Sequence, residues 1–492
     1  MPDLWLTGGV IEAYAVPDVY AAEEDLMATL PDGALMARAV RGLAAVARVR
    51  LQERGGRRVV ALVGPGNNGA DALFAAARLA RKGYQVAALH RPQAVHEGAR
   101  EAAVEAGVDL SQDCAVLADA DLVLDGIVGI GGRAGLPEFA ADWVAAVPPT
   151  AYVIAVDLPS GQDPAGGALD PGGVFADETV TFSVAKPVHL LPPTEAACGL
   201  LTVVDIGLDL DAMPAVRRLD HDDVARLWPI PSASDDKYSR GVLGVIAGSQ
   251  RYPGAAVLAV TAAVEAGAGM VRYLGPDDPT RLVLASVPEA VPGPGRVAAW
   301  AIGPGLDSNP GDRDQLYAAH AALLSDRAVL LDAGGLALLS PDLARQRAGM
   351  ETLLTPHAGE CAALLTRLGQ PVSRAEVERS PHAAAAALAA LTDATVLLKG
   401  STTLIVGPES AHPAWSQADA PGWLATAGAG DVLAGLAGVL LAAGLPALHA
   451  GALAALVHGV AADEVSRGGP VRALRVAHAI PQVLARLLTR AT

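Results

Sequence analysis

Residues 59–71, Val59-Val60-Ala61-Leu62-Val63-Gly64-Pro65-Gly66-Asn67-Asn68-Gly69-Ala70-Asp71, pass from a β-branched apolar run through a glycine turn into an Ala-rich stretch. The unbroken apolar run, Val59–Val63, predicts a strand covered on both faces, and Ala70–Lys82 beyond the turn predicts a helix. The alternation continues outward. Gln85–Leu89, Leu122–Leu124, Val153–Val156, Glu178–Phe182 and Leu200–Val204 read as further strands, with helices at Glu97–Ala106 and, before the first strand, Ala34–Arg54. Strand and helix at this spacing predict a mostly parallel sheet between helical layers, a Rossmann-like three-layer arrangement.

A second α/β alternation begins at Val242–Ala247 and includes Ala298–Ile302, Ala328–Leu331, Thr352–Leu354, Thr395–Leu398 and Thr403–Val406, ending in the Ala-rich helices Asp431–Ala443 and Ala447–Arg467. Between the halves, Met213-Pro214, Trp228-Pro229 and Pro231-Ser232 punctuate a polar stretch read as a linker. The expected organisation is α/β with two tandem domains, residues 1–212 and 236–492, joined by residues 213–235.

The chain has 492 residues, of which 52% are hydrophobic, enough for two large cores. Lys plus Arg number 36 against 53 Asp plus Glu, a net charge of −17 that argues against nucleic acid or an anionic membrane as partner. The three cysteines, Cys114, Cys198 and Cys361, are far apart and fit no disulfide framework or metal spacing. With no visible signal peptide, and an apolar stretch Val432–Leu445 shorter than the ~20 residues of a membrane span, a cytoplasmic soluble protein is expected. Lysine occurs only at Lys82, Lys186, Lys237 and Lys399, and asparagine only at Asn67, Asn68 and Asn309. In a chain that otherwise uses Arg, a retained Lys marks a place for a compact ammonium.

Gly64-Pro65-Gly66-Asn67-Asn68-Gly69 satisfies GxGxxG, a turn whose amides and following helix dipole suit a phosphate. A dinucleotide site would add an acid after the next strand, but His90-Arg91 stands there. The Asn amides are the alternative, as oxygen donors for a cation or ligand, and a plain turn is the third reading. Asp125 opens Gly126-Ile127-Val128-Gly129-Ile130-Gly131-Gly132-Arg133, and Asp157 opens Leu158-Pro159-Ser160-Gly161. Acids at several strand ends predict convergence of Asn67, Asn68, Asp125, Asp157 and Ser160 on the carboxyl edge of the sheet, with oxygen-only donors fitting a hard cation.

In the second half, Gly428-Ala429-Gly430-Asp431 places glycines and an acid at a helix start. The amides form an anion hole and Asp431 a base for a hydroxyl, although an ordinary helix cap is equally consistent with that tetrad alone. Lys399-Gly400-Ser401-Thr402-Thr403 adds an ammonium and hydroxyls in a glycine turn. His357, in Thr355-Pro356-His357-Ala358-Gly359-Glu360, is either a cap or a contact at the same sheet edge.

Taken together, the glycine-asparagine turn, LDGIVGIGGR, VDLPSG and TFSVAKP resemble the NAD(P)H-hydrate epimerase domain, also called the YjeF N-terminal domain, over about residues 1–212. GSQRYPGAA, AIGPGL, LLDAGGL, LTPHAGE, LLKGSTT and ATAGAGDVLAG resemble the ribokinase-like NAD(P)H-hydrate dehydratase over about residues 236–492. The first resemblance implies a potassium ion on Asn68, Asp125 and Ser160. It also implies a hydrated nicotinamide nucleotide held by Asn67, Asn68, Gly69, Ala70 and Asp71, by the loop Gly129, Ile130, Gly131, Gly132, Arg133, Ala134 and Gly135, and by Asp157, with Asp157 as acid–base group beside Lys186. The second implies an adenine nucleotide on Lys399, Gly400, Ser401, Thr402, Thr403 and Gly430, and the hydrate on Ala255, Gly305, His357 and the catalytic Asp431.

The implied function is repair of NADH or NADPH hydrated across a ring double bond. The first domain would interconvert the R and S hydroxyl epimers. The second would phosphorylate the S form from ADP, with magnesium, and eliminate phosphate, releasing AMP. A homo-oligomer is expected. Kinases of the same superfamily often carry Ala at the position of Ala429, so an ATP-dependent small-molecule kinase with a nucleotide-binding or docking N-terminal domain is the alternative.

Overall fold

In the computed structural model, residues 10–91, 95–307, 312–409 and 413–489 are described. The described residues divide into two units, Glu12–Val216 in one and Arg217 onward, with Val10 and Ile11, in the other.

The first unit's strands are β1 (Arg58–Val63), β2 (Gln85–His90), β3 (Asp109–Ser111), β4 (Leu122–Gly126), β5 (Tyr152–Val156), β6 (Glu178–Phe182) and β7 (Leu200–Val204). They form a sheet in the order β3-β2-β1-β4-β5-β6-β7, parallel throughout. The chain winds from β1 to one edge and returns at β4 to build the other half. The β1/β4 boundary is therefore the topological switch point, where neighbouring connections diverge and leave a crevice at the carboxyl ends. Side chains of β1 alternate between faces: Val59, Ala61 and Val63 join one core with α2 (Ala34–Arg54) and α3 (Asn67–Ala80), while Val60 and Leu62 join another with Leu117 and Trp143. A helix α1 (Val16–Thr29) precedes these elements.

The second unit's strands are β8 (Val242–Ile246), β9 (Met270–Leu274), β10 (Val291–Pro292), β11 (Ala299–Ile302), β12 (Ala328–Leu331), β13 (Thr352–Leu354), β14 (Thr395–Leu398), β15 (Thr403–Val406) and β16 (Ala414–Gln417). These run β16-β15-β14-β13-β12-β11-β8-β9-β10. The pairing is parallel from β10 to β14, and antiparallel through β15 and β16. Its switch point is β8/β11. Helix α4 (Pro253–Glu265) and the almost wholly buried α6 (Ala429–Ala442) pack in one core with Leu243 and Val245, while α5 (Ala358–Arg367) follows β13. A helix apolar on all sides requires that kind of enclosure.

The stretch 213–235 differs from its reading as a linker. It holds a strand at Val216–Arg218 and a helix at His221–Leu227, and Leu219, Val224 and Trp228 join the second unit's core. Its prolines and acids suggested solvent exposure, but the acids serve the helix start: Asp220 accepts from the amides of Asp222 and Asp223. Strands β3, β9, β10 and β16 were absent from the sequence reading, and α3 begins at Asn67 rather than Ala70. Among the described residues, no helix is long and apolar enough to cross a membrane.

Asp220→Ala removes this cap, and loss of an Asp cap costs about 1 kcal/mol. A lower denaturant midpoint for the second unit's transition is expected, and an unchanged midpoint would leave 213–235 energetically a linker.

Candidate functional site

At the β1/β4 switch point the chain backbones nearly touch. A Cβ on Gly64 would lie 1.9 Å from the Ile127 carbonyl oxygen, so only glycine admits this approach. The turn delivers Asn67 and Asn68 as the first residues of α3, whose opening amides have no acceptors within the helix.

Asn68, Asp125 and Ser160 come together. The Ser160 hydroxyl donates to Asp125 Oδ1 (2.7 Å) and accepts from the Val128 amide (3.0 Å), and the Ser160 amide donates to Asp125 Oδ2 (2.8 Å). Asn68 Nδ2 donates to the Val156 carbonyl (2.5 Å) and, at 3.5 Å, to that of Val128. Asp125 is fully buried and, among the described residues, ion-pairs with no Lys, Arg or His. Burial pushes its carboxyl up to about 6, against the opposing hydrogen bonds from Ser160 and Ile127.

Asp157 belongs to a second cluster. Lys186 Nζ lies 2.6 Å from Asp157 Oδ1 and 2.9 Å from Thr181 Oγ1, and the Thr181 hydroxyl donates to the same carboxylate oxygen at 2.9 Å. Burial opposes the charge of Asp157, but the Lys186 ammonium outweighs it, and the carboxyl is held below its ordinary value. His189 Nδ1 accepts from the Lys186 amide (3.0 Å), which leaves Nε2 to donate to the Asp157 carbonyl (2.8 Å). Burial lowers the imidazole to about 4, in keeping with that neutral tautomer. Asp157 itself has φ of +69°, a left-handed conformation that Asp tolerates better than most residues.

Both clusters border one cavity of about 410 Å³, lined in part by Tyr20, Glu23, Asn67, Asn68, Asp71 and Asp157. Of the predicted loop, Gly129, Ile130, Gly131 and Gly132 line it; Arg133, Ala134 and Gly135 are exposed and lie outside that lining. Gly69 and Ala70 are buried beneath it. Asp71 is buried with Oδ1 unpartnered, and burial, then Asp157 and Glu23, push its carboxyl well above the ordinary value. Burial also raises Glu23, opposed by Lys186 and reinforced by Asp157. Tyr20 and Glu23 of α1, with Thr181 and His189, escaped the sequence reading. The first two lie on a helix with no glycine turn, whereas His189 stands three residues after a singled-out lysine.

In the second unit, Lys399 leaves β14 with Nζ 2.7 Å from Asp332 Oδ1 and 3.7 Å from Glu360 Oε2. The Thr355 hydroxyl donates to the same Asp332 oxygen at 2.8 Å. Burial lowers Lys399, but Asp332 and then Glu360 raise it further, and the ammonium stays charged. Helix α6 begins beside it: a Cβ on Gly430 would lie 3.4 Å from Lys399 Nζ. Burial, then the charge of Asp332, push Asp431 up to about 7 against the pull of Lys399. Gly400 and Ser401 are exposed, Thr402 is buried and Thr403 half-buried. Gly305 and Ala255 face each other at the switch point, where a Cβ on Gly305 would lie 2.6 Å from that of Ala255.

His357 caps α5, its Nδ1 accepting from the amides of Gly359 and Glu360 while Glu360 accepts from the His357 amide. The Nε2 edge lies 3.6 Å from Glu360 Oε1. Asp332 was quoted within a motif but given no role, though it carries the signal already used for Asp125 and Asp157, an acid at a strand end.

Residues 32–188 match the family described as "YjeF-related protein N-terminus", and residues 243–482 match the one described as "NAD(P)H-hydrate dehydratase". The chain is 45% identical over 452 residues to the "Bifunctional NAD(P)H-hydrate repair enzyme Nnr" of Mycobacterium tuberculosis (strain ATCC 25618 / H37Rv), covering 89% of this chain and 91% of that protein. Its counterpart in Mycobacterium leprae is 45% identical over 462 residues, covering 91% and 93%. A solved ADP/ATP-dependent NAD(P)H-hydrate dehydratase from Bacillus subtilis is 27% identical, with a TM-score of 0.47, covering 55% of this chain and 97% of that one.

Asp431 makes stability pH-dependent. Its folded value of about 7 exceeds the ordinary 3.8, so the folded state binds the extra proton between those limits. The resulting stability is complete below pH ~4 and lost as pH rises through about 7, on the order of 4 kcal/mol in all. Denaturation at pH 4 and pH 8 should show a fall, shared with the raised Asp125 and Asp71 carboxyls, and Asp431→Asn should make it smaller.

Proposed function

The chain belongs to the bifunctional NAD(P)H-hydrate repair enzymes, and from that premise we propose how its two lysine–carboxylate clusters divide the work. It carries an epimerase domain and an ADP/ATP-dependent dehydratase domain. Water adding to the enamine double bond of a reduced nicotinamide puts its hydroxyl on the carbon next to the ring nitrogen. That carbon is stereogenic, and hydroxide is a poor leaving group from it.

In the first unit the hydrate occupies the cavity bordered by Asn67, Asn68, Asp71 and Asp157. The opening amides of α3 receive its phosphates, with the Gly129–Gly132 loop alongside. Asp157, kept ionised by Lys186 and Thr181, is the acid–base group. A potassium ion fits at Asn68, Asp125 and Ser160, because a fully buried carboxylate without a cationic partner, among oxygen ligands, calls for a monovalent positive charge. When bound, the ion supplies that charge beside the phosphate site.

In the second unit, Lys399, Gly400–Thr403 and the amide of Gly430 hold the nucleotide, with ADP as donor. Asp431 takes the proton of the hydrate's hydroxyl as phosphate transfers to it. The ring nitrogen then expels phosphate, and loss of the neighbouring carbon's proton restores the double bond, leaving AMP and phosphate. Among the described residues, no three His, Cys, Asp or Glu side chains are grouped to hold a metal. Magnesium would enter with the nucleotide phosphates, whose charge it would share, and Asp332 and Glu360 beside Lys399 would be the carboxylates nearest to it. The observation that carries this division is the pairing in each unit of one lysine with a buried carboxylate at the carboxyl ends of the sheet's strands.

The test supplies both hydrate epimers with ADP and follows reduced-nicotinamide absorbance. Full recovery, faster than the epimers exchange unaided, is expected. Recovery stalling at the S fraction would remove the epimerase, and none with ADP or ATP would remove the dehydratase. Asp431→Asn should slow recovery by about 10²–10⁴-fold, the usual worth of a general base, and leave epimer exchange intact.

A further inference from the structure

We propose that the Asp71 carboxyl is the proton donor that releases the hydrate's hydroxyl during epimerisation, sharing the cavity with Asp157. The proposal rests on the first unit acting as the epimerase and gives Asp71 a part in the chemistry beyond contact with the substrate.

Asp71 sits in the first turns of α3 with 7% of its surface exposed, borders the cavity, and has a buried Oδ1 that no protein group meets. A buried acceptor left unpaired is unfavourable by about 1–3 kcal/mol, so such an atom at a cavity wall awaits a ligand. The ionisable groups around it divide sharply. Asp157 and Glu23 bear like charge and disfavour ionisation of Asp71. The Lys186 ammonium is engaged by Asp157 and Thr181, His189 is neutral with both ring nitrogens bonded, and Tyr20 offers a phenol. Nothing there stabilises an Asp71 anion, whereas Asp157 has a cation in contact. Two carboxyl groups in one cavity whose surroundings drive them apart form an acid and a base.

The hydrate supplies a reaction that needs both. Asp71 gives its proton to the hydroxyl, the carbon–oxygen bond breaks, and the nitrogen lone pair forms a carbon–nitrogen double bond while water departs. The carbon is now planar. Water adds to its other face, the double-bond electron pair returns to nitrogen, and Asp157 takes the proton that the new hydroxyl sheds. Transfer of that proton to Asp71 restores the starting state, so atoms and charge balance without a further reactant.

The experiment uses the full-length protein without ADP, so that the dehydratase is silent, and follows pure S hydrate turning into R by chromatography. Asp71→Asn keeps shape and hydrogen bonding but has no proton to transfer. The enzyme-dependent exchange is expected to fall at least 100-fold. Hydrate affinity, measured by equilibrium dialysis, should stay within threefold of wild type, and ADP-dependent dehydration of the S hydrate should be unchanged. Exchange within threefold of wild type overturns the proposal, as does a loss matched by an equal loss of affinity, which would make Asp71 a binding group. Wild-type protein that exchanges no epimers would overturn the reading of the first unit itself, an outcome distinct from any result with the variant.

Discussion

Lys186 and Asp157 meet at 2.6 Å with both side chains almost wholly out of water. Neither would stay charged there alone, since removing one partner of a buried pair leaves an uncompensated ion worth 3–5 kcal/mol against folding. The rest of the first crevice is organised around this constraint. Thr181 supplies the carboxylate with a further donor, and His189 binds the backbone of both partners. The second unit meets the same problem with Lys399 and Asp332, steadied by Thr355. Two of the four lysines in an arginine-rich chain are used in this way. A compact ammonium suits a single carboxylate oxygen shared with a hydroxyl, where a planar guanidinium would need a wider fork.

Both ion pairs lie at the carboxyl ends of their sheets' strands, and their chemistry diverges through what surrounds each pair. In the first, Asp71 and Asp157 border one cavity, and burial raises the first carboxyl while Lys186 holds the second below its ordinary value. In the second, Lys399 lies at the start of α6, where amides and ammonium converge on one small volume and Asp431 stands at its rim. The first environment favours giving and taking protons at a hydroxyl. The second favours gathering phosphate charge.

Much of this was legible in the residues because strands covered by helices are short runs rich in β-branched and apolar residues. Glu178–Phe182, Leu200–Val204, Ala328–Leu331, Thr352–Leu354, Thr395–Leu398 and Thr403–Val406 fall where the pattern placed them. Met270–Leu274 did not stand out, because Arg272 interrupts it. Asp220–Trp228 was misread because its acids, which cap a helix, look like solvated linker. In the crevices, acids at strand ends pointed to Asp125 and Asp157, and scarcity pointed to Asn68, Lys186 and Lys399. Tyr20 and Glu23 were out of reach, since they stand on a helix with no glycine turn or strand end beside them and meet Asn67, Asp71 and Asp157 only through the tertiary fold.

The backbone of Asp157 is held from both sides, its amide donating to Val180 and its carbonyl accepting from His189, at the left-handed φ of +69°. Few side chains are at ease in that region of dihedral space, Asp and Asn foremost among them. Substitution at this position is thus filtered twice, once for charge and once for torsion. A longer acid such as Glu would keep the charge yet strain the turn, so the ordinarily interchangeable pair of acidic amino acids ceases to be interchangeable here.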